Sequence, residues 1–83
     1  MKKEMQTEEI IEYLRSNGAG KFIRRTDVGK ISNGLLHPAT MANKDCREEG
    51  PDSRVLFGQR VAYPIEALAR YMKKKGFFIE QVV

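Results

Sequence analysis

The chain carries one cysteine, one histidine and no tryptophan in 83 residues. Cys46 alone forms no internal disulfide, and with only His37 beside it there is no His and Cys set from which to build a metal site, so neither metal nor cofactor is expected. No apolar run approaches the length of a membrane span, so no membrane partner is expected. The N-terminal Met-Lys-Lys-Glu-Met-Gln-Thr-Glu-Glu lacks the apolar centre of a signal peptide. Together with the lone thiol this makes a reducing cytoplasm the expected compartment, with nucleoid association if the chain is bacterial or from a phage. Internal repeats and low-complexity tracts are missing too. So are the parts of an active site: no His, Cys or Ser stands with a base and an orienter, there is no phosphate loop, and the adjacent Glu48 and Glu49 point apart. No enzyme is expected.

What is present is a small basic globular chain. Its length allows one domain with a modest core, and 41% hydrophobic with 31% charged residues is ordinary folded composition rather than that of a disordered tail. The net charge of +4 and a pI near 9.4 draw polyanions to its surface.

Residues 1–6 are polar and expected to fray. Thr7 then caps a helix to about residue 17, with Glu8 and Glu9 at its positive end, Arg15 near the other and Gly18 as the stop. Winding at 100° per residue puts Ile10, Ile11, Tyr13 and Leu14 on one side. After the linker Gly18-Ala19-Gly20, Lys21-Phe22-Ile23-Arg24 reads as a short strand. Thr26 to Ser32 is a weak helix, because Gly29 costs roughly 1 kcal/mol against Ala. The same glycine would let the next helix approach closely. Asn33-Gly34 turns the chain, and Leu35 and Leu36 dip into the core.

His37 precedes Pro38 and is biased away from helix, whereas Pro38 suits a first helical position. The helix 38–47 sorts into Pro38, Met41, Ala42 and Cys46 inward and Thr40, Asn43, Lys44 and Arg47 outward. Asp45 falls among the inward set, where it needs hydrogen bonds or a base such as Arg60. Gly50, in a left-handed conformation, and Pro51 end the helix. Two β-prone runs flank Gly58-Gln59. A three-residue loop 58–60 would give the hairpin one apolar face of Val55, Phe57, Val61 and Tyr63, with Gln59 and Arg60 at the tip. Pro64 opens a closing helix with Leu68, Tyr71 and Met72 inward, Ile65 at the edge, Glu66 and Arg70 paired, and Lys73, Lys74 and Lys75 at its negative end before Gly76. The apolar tail 77–83 either pairs with the strand 21–24 or covers a partner.

The expected class is thus mainly α with a small β-hairpin (α+β), in the order of a winged helix-turn-helix with an added N-terminal helix. Three segments make one compact domain: 1–20 as helix and linker, 21–76 as the winged unit, and 77–83 as the tail. Here the chain resembles the excisionase-like and MerR-like winged-helix family. The resemblance runs through Arg25-Thr26-Asp27-Val28, Pro38-Ala39-Thr40-Met41-Ala42, Gly50-Pro51 and Leu56-Phe57-Gly58-Gln59-Arg60-Val61-Ala62-Tyr63-Pro64, followed by the spacing of Ile65, Leu68 and Tyr71. It implies a DNA-binding protein, a transcription regulator or a recombination accessory factor of a phage or mobile element. Its second helix would enter the major groove of double-stranded DNA, with the wing on the backbone or minor groove.

Carried over, Thr40, Asn43, Lys44 and Arg47 face the groove, and Gln59 and Arg60 are wing contacts. Asn43 suits adenine and Arg47 guanine, each through two parallel hydrogen bonds. Lys44, Arg54 and Arg60 suit phosphates, as do Arg24 and Arg25 where the first helix crosses the backbone. One helix reads only a few base pairs, so a homodimer, tandem binding or an accessory protein is expected. The alternative is a protein-interaction module without DNA binding, docking through the tail 77–83 and the helix 7–17.

Overall fold

The computed structural model describes residues 2–81. Along the chain run β1 (Lys2–Glu4), α1 (Thr7–Ser16), β2 (Phe22–Arg24), a 3-10 turn (Arg25–Asp27), α2 (Val28–Ile31), α3 (Pro38–Cys46), β3 (Val55–Phe57), β4 (Arg60–Pro64), α4 (Ile65–Lys75) and β5 (Phe78–Glu80). The class is α+β, with four helices and two antiparallel sheets, one of order β1-β5 and one of order β2-β4-β3.

The frame is α1 packed on α4. Ile10 and Leu14 from α1 and Ile65, Leu68, Ala69 and Met72 from α4 are buried together, joined by Ile23, Val28, Ile31, Met41 and Tyr63. Ile65, expected at the edge, is fully buried. The N-cap of α1 is Gln6 rather than Thr7. Its backbone N–H donates to Glu9 Oε1 at 3.0 Å, the chief reason the Glu9 carboxyl sits below its ordinary pKa. At the other end Asn17 Nδ2 donates to the Ile31 carbonyl at 2.8 Å, and the Tyr13 hydroxyl donates to the Ser32 carbonyl at 3.2 Å. These bonds tie the end of α1 to the end of α2, so the short α2 is held from outside its own sequence.

Both chain ends differ from expectation. Residues 2–4 are a strand rather than a frayed tail, and β5 pairs with β1 (Lys3 opposite Ile79) rather than with β2. The cause is the α1 and α4 packing, which sets the start of α1 beside the end of α4, where Lys73 Nζ donates to Gln6 Oε1 at 3.1 Å. The flanking segments then meet, and the Met5 N–H donates to the Phe77 carbonyl at 2.8 Å. The last two residues of the tail, Val82 and Val83, lie outside the described residues.

The hairpin loop also differs. Phe57 pairs with Arg60, leaving the two-residue turn Gly58-Gln59 with Gly58 at φ 62, a left-handed value suited to a hairpin turn. Leu56, Val61 and Tyr63 therefore share the inner face with Ile23, while Val55, Phe57, Arg60 and Ala62 share the outer face with Arg24. A single apolar face was the premise for an odd loop, and it does not apply. β2 pairs with β4 and completes the inner face through Ile23 beside Tyr63, so β3 is an exposed edge with no core to cover.

Leu35 is 63% exposed and only Leu36 packs on the core, because Asn33 (φ 54) and Gly34 (φ 85) successively turn the chain outward. Gly29 admits the backbone of this turn rather than a helix: a Cβ there would stand 3.5 Å from the Leu36 carbonyl oxygen, an ordinary contact.

Candidate nucleic-acid interface

α3 begins where its sequence says it must. His37 is extended before Pro38, and its Nδ1 accepts from the Ala39 N–H at 3.2 Å, so the only imidazole is the helix N-cap. Met41 and Asp45 point inward, while Thr40, Asn43 and Arg47 are exposed along the opposite face. Cys46, expected inward, is exposed. Of the two neighbours expected inward only Asp45 is buried, and Cys46 follows it by 100° around the helix. The helix ends at Cys46 with Arg47 as its C-cap, and Glu48 next to it, at φ 58, supplies the left-handed residue expected of Gly50. Gly50 is needed for a different reason: a Cβ there would overlap Asp45 Oδ1.

Asp45 is the hub of the region, with only 5% of its side chain exposed. Its Oδ2 accepts from Arg25 Nη2 at 2.5 Å and from the Tyr63 hydroxyl at 2.5 Å, and that hydroxyl accepts from Arg25 Nε at 3.1 Å. Three groups from the 3-10 turn, α3 and β4 thus close a ring of hydrogen bonds. Burial, reinforced by the bond to Asp45, pushes the Tyr63 phenol up to about 12. The Arg25 pKa is raised as well, first by Tyr63 and then by Asp45. Asp45 Oδ1 is buried and accepts no hydrogen bond among the described residues; Arg54 Nη1 stands 3.7 Å from it. Two guanidinium groups thus flank one carboxylate at the junction of α3 and the hairpin. Arg60, the partner expected for Asp45, is not in this ring, because the two-residue turn puts it on the outer face of the sheet, opposite Tyr63.

The nine residues expected to meet DNA fall into four groups. Thr40, Asn43 and Arg47 form one exposed stripe on α3, and Gln59 and Arg60 lie at or beside the exposed hairpin turn. Neither Arg47 nor Arg60 has an ion-pair partner among the described residues. Lys44 stands 3.4 Å from Glu49, Arg24 donates to Asp27 at 3.0 Å, and Arg54 leans on Asp45, so each reaches a phosphate only by loosening an internal partner. Arg25, 26% exposed, is committed to Asp45 and Tyr63 and acts as a structural group. The expected pair of Glu66 and Arg70 is replaced by a bidentate one: Arg70 holds Asp52 through bonds of 2.8 and 2.9 Å, which pins the segment leading into β3 to α4.

Sequence reasoning flagged Asp45 as anomalous but missed its ring, since Arg25 and Tyr63 lie about 20 residues away on either side and no periodicity connects them. It also missed a groove of about 420 Å³ beside α3, whose lining includes Leu36, Met41, Tyr71, Phe77 and Phe78, with Lys44 and Lys75 at its rim.

Among the described residues no helix is long and apolar enough to cross a membrane, and no cluster of three or more His, Cys, Asp or Glu side chains is placed to hold a metal. Comparison with protein-family models, with curated proteins and with solved structures gives no match.

Proposed function

We propose that the protein is a winged helix-turn-helix module that binds duplex DNA. In this reading α3 enters the major groove with Thr40, Asn43 and Arg47 toward the base edges, and the hairpin tip follows the neighbouring backbone or minor groove. The observation that carries the reading is the Asp45 ring. It joins the inward side of α3 to the root of the hairpin at Tyr63, and so to the strand whose other end carries Arg60. Such a join favours a groove-reading pair, because a loose site loses affinity to ordering. The chain's net charge of +4 adds the sequence-independent attraction.

The division of labour follows from geometry. Arg47 and Asn43 read bases, while Arg60, and Arg54 once it leaves Asp45, neutralise phosphates. A regulatory or recombination-accessory role, with two copies on repeated half-sites, matches the short reading surface of one helix. The test is fluorescence anisotropy with a mixed-sequence duplex. With about four phosphate contacts, from Arg60, Arg54, Lys44 and Arg24, affinity should fall roughly a hundredfold between 50 and 200 mM salt, and Arg47→Glu or Arg60→Glu should weaken binding about tenfold or more. Binding indifferent to salt and to both reversals contradicts the proposal.

A second reading, a protein-interaction module, is favoured by one feature: the apolar groove beside α3 with Leu35 and Phe78 exposed at its side. Of the surfaces expected to serve it, α1 spends its apolar face on α4, whereas β5 pairs with β1 and leaves Phe78 and Ile79 half exposed. Stable self-association or partner capture in a protein indifferent to DNA would favour it.

A further inference from the structure

The β3 and β4 hairpin carries apolar surface that the fold does not use. Leu56 is 65% and Phe57 81% exposed, and they leave the ribbon on opposite faces at its free end. An ordinary solvent-facing hairpin tip would be polar there. The turn is as narrow as a hairpin allows, two residues, and Phe57 is the last residue before it. Directly across the ladder is Arg60, on the same face. From Ser53 to Tyr63 the chain has two arginines and no acidic residue.

We infer that this tip is a wedge: Phe57 enters a base-pair step from the minor groove and kinks the duplex, while Arg60 holds the adjoining phosphate. The inference rests on the DNA-binding reading and extends it from a groove contact to a deformation of the DNA. Apolar side chains used this way unstack one step and bend the duplex by tens of degrees, and the cations beside them stabilise the bent backbone. A β-ribbon suits the task because its strands lie about 4.8 Å apart and only its end must enter the groove. Position selects Phe57 over Leu56, which lies one residue further back and faces the side toward Tyr63. The chemistry also favours DNA over an anionic membrane. An element lying on a membrane gathers its apolar groups on one face, whereas these side chains diverge to both.

The experiment relaxes closed circular plasmid with topoisomerase in the presence of the protein, since unstacking a step unwinds the duplex and is trapped as a change in linking number. Wild type is compared with Phe57→Ala and Phe57→Leu, and binding to a mixed-sequence duplex is measured in parallel by anisotropy. Wild type should shift the topoisomers. With each protein at a concentration that saturates DNA in its own anisotropy titration, Phe57→Ala should lose most of the shift, and Phe57→Leu should keep at least about half of it. Because Phe57 is exposed, thermal unfolding of both variants should match wild type. An undiminished shift with Phe57→Ala overturns the wedge and leaves DNA binding standing, whereas no wild-type binding to duplex removes both. Two further results overturn it in favour of other occupants: vesicles of phosphatidylserine and phosphatidylcholine that bind wild type but not Phe57→Ala, or a protein dimer that Phe57→Ala dissolves.

Discussion

Replacing Asp45 by asparagine keeps its volume and removes its charge, at a cost set by the groups around it. Arg25 loses the counter-ion that accepts from its Nη2, and the Tyr63 hydroxyl loses a charged acceptor. Removing one partner of a fully buried pair costs about 3–5 kcal/mol. Arg25 keeps an exposed edge through which water relieves part of that penalty, so about 2–3 kcal/mol is expected. Against a total stability of roughly 4–12 kcal/mol for a chain of this length, that is a large fraction. The thermal midpoint should fall by about 10–20 °C. Tyr63→Phe alone should cost about 1–2 kcal/mol. Because the two residues share one ring, the double variant should cost less than the sum by about 1 kcal/mol or more, read from urea unfolding curves for all four proteins. An Asp45→Asn protein within about 0.5 kcal/mol of wild type, or strict additivity, would refute the claim that this ring fastens α3 to the hairpin.

Three other perturbations probe the same frame. Gly50→Ala pushes a methyl group into Asp45 Oδ1 and should cost about 1–3 kcal/mol in urea unfolding, although its backbone needs no left-handed angle. In alkali, both states keep the Tyr63 proton below the ordinary phenol value of 10.0, but between there and about 12 the unfolded chain releases it while the folded one retains it. Stability should therefore fall as pH rises through that window, and the fall should be shallower in Tyr63→Phe; identical pH profiles would contradict the burial of this phenol. His37→Ala removes the acceptor for the Ala39 N–H and should cost about 0.5–2 kcal/mol of thermal stability, with His37→Asn restoring most of it.

Much of the framework was legible in the sequence because it depends on local signals. The 3.6-residue spacing of Ile10 and Leu14 and of Leu68 and Met72 marked the two packed helices, and Pro38 and Gly76 marked a helix start and stop where the structure has them. Legibility ended where position depends on distant chain. The parity of the hairpin was set by β2 pairing with β4, which the residues 55–63 do not encode by themselves. The strand at residues 2–4 exists only because α1 and α4 bring the two ends together. Among the candidate contacts, exposure of Thr40, Asn43 and Arg47 followed from helical winding, whereas Arg25 looked like a surface cation until its partners from α3 and β4 were in place. Glu48 takes the left-handed stop, and Gly50 is required instead beneath Asp45, a constraint visible only in three dimensions.

The most direct test of the DNA-binding account is a map of which backbone amides respond when the protein is titrated with duplex DNA, followed by amide NMR. The account predicts the largest changes along α3 from Thr40 to Arg47 and at the hairpin end from Phe57 to Arg60, with the ribbon of β1 and β5 unaffected. Changes confined to that ribbon, or to the apolar groove around Phe77 and Phe78, would contradict it.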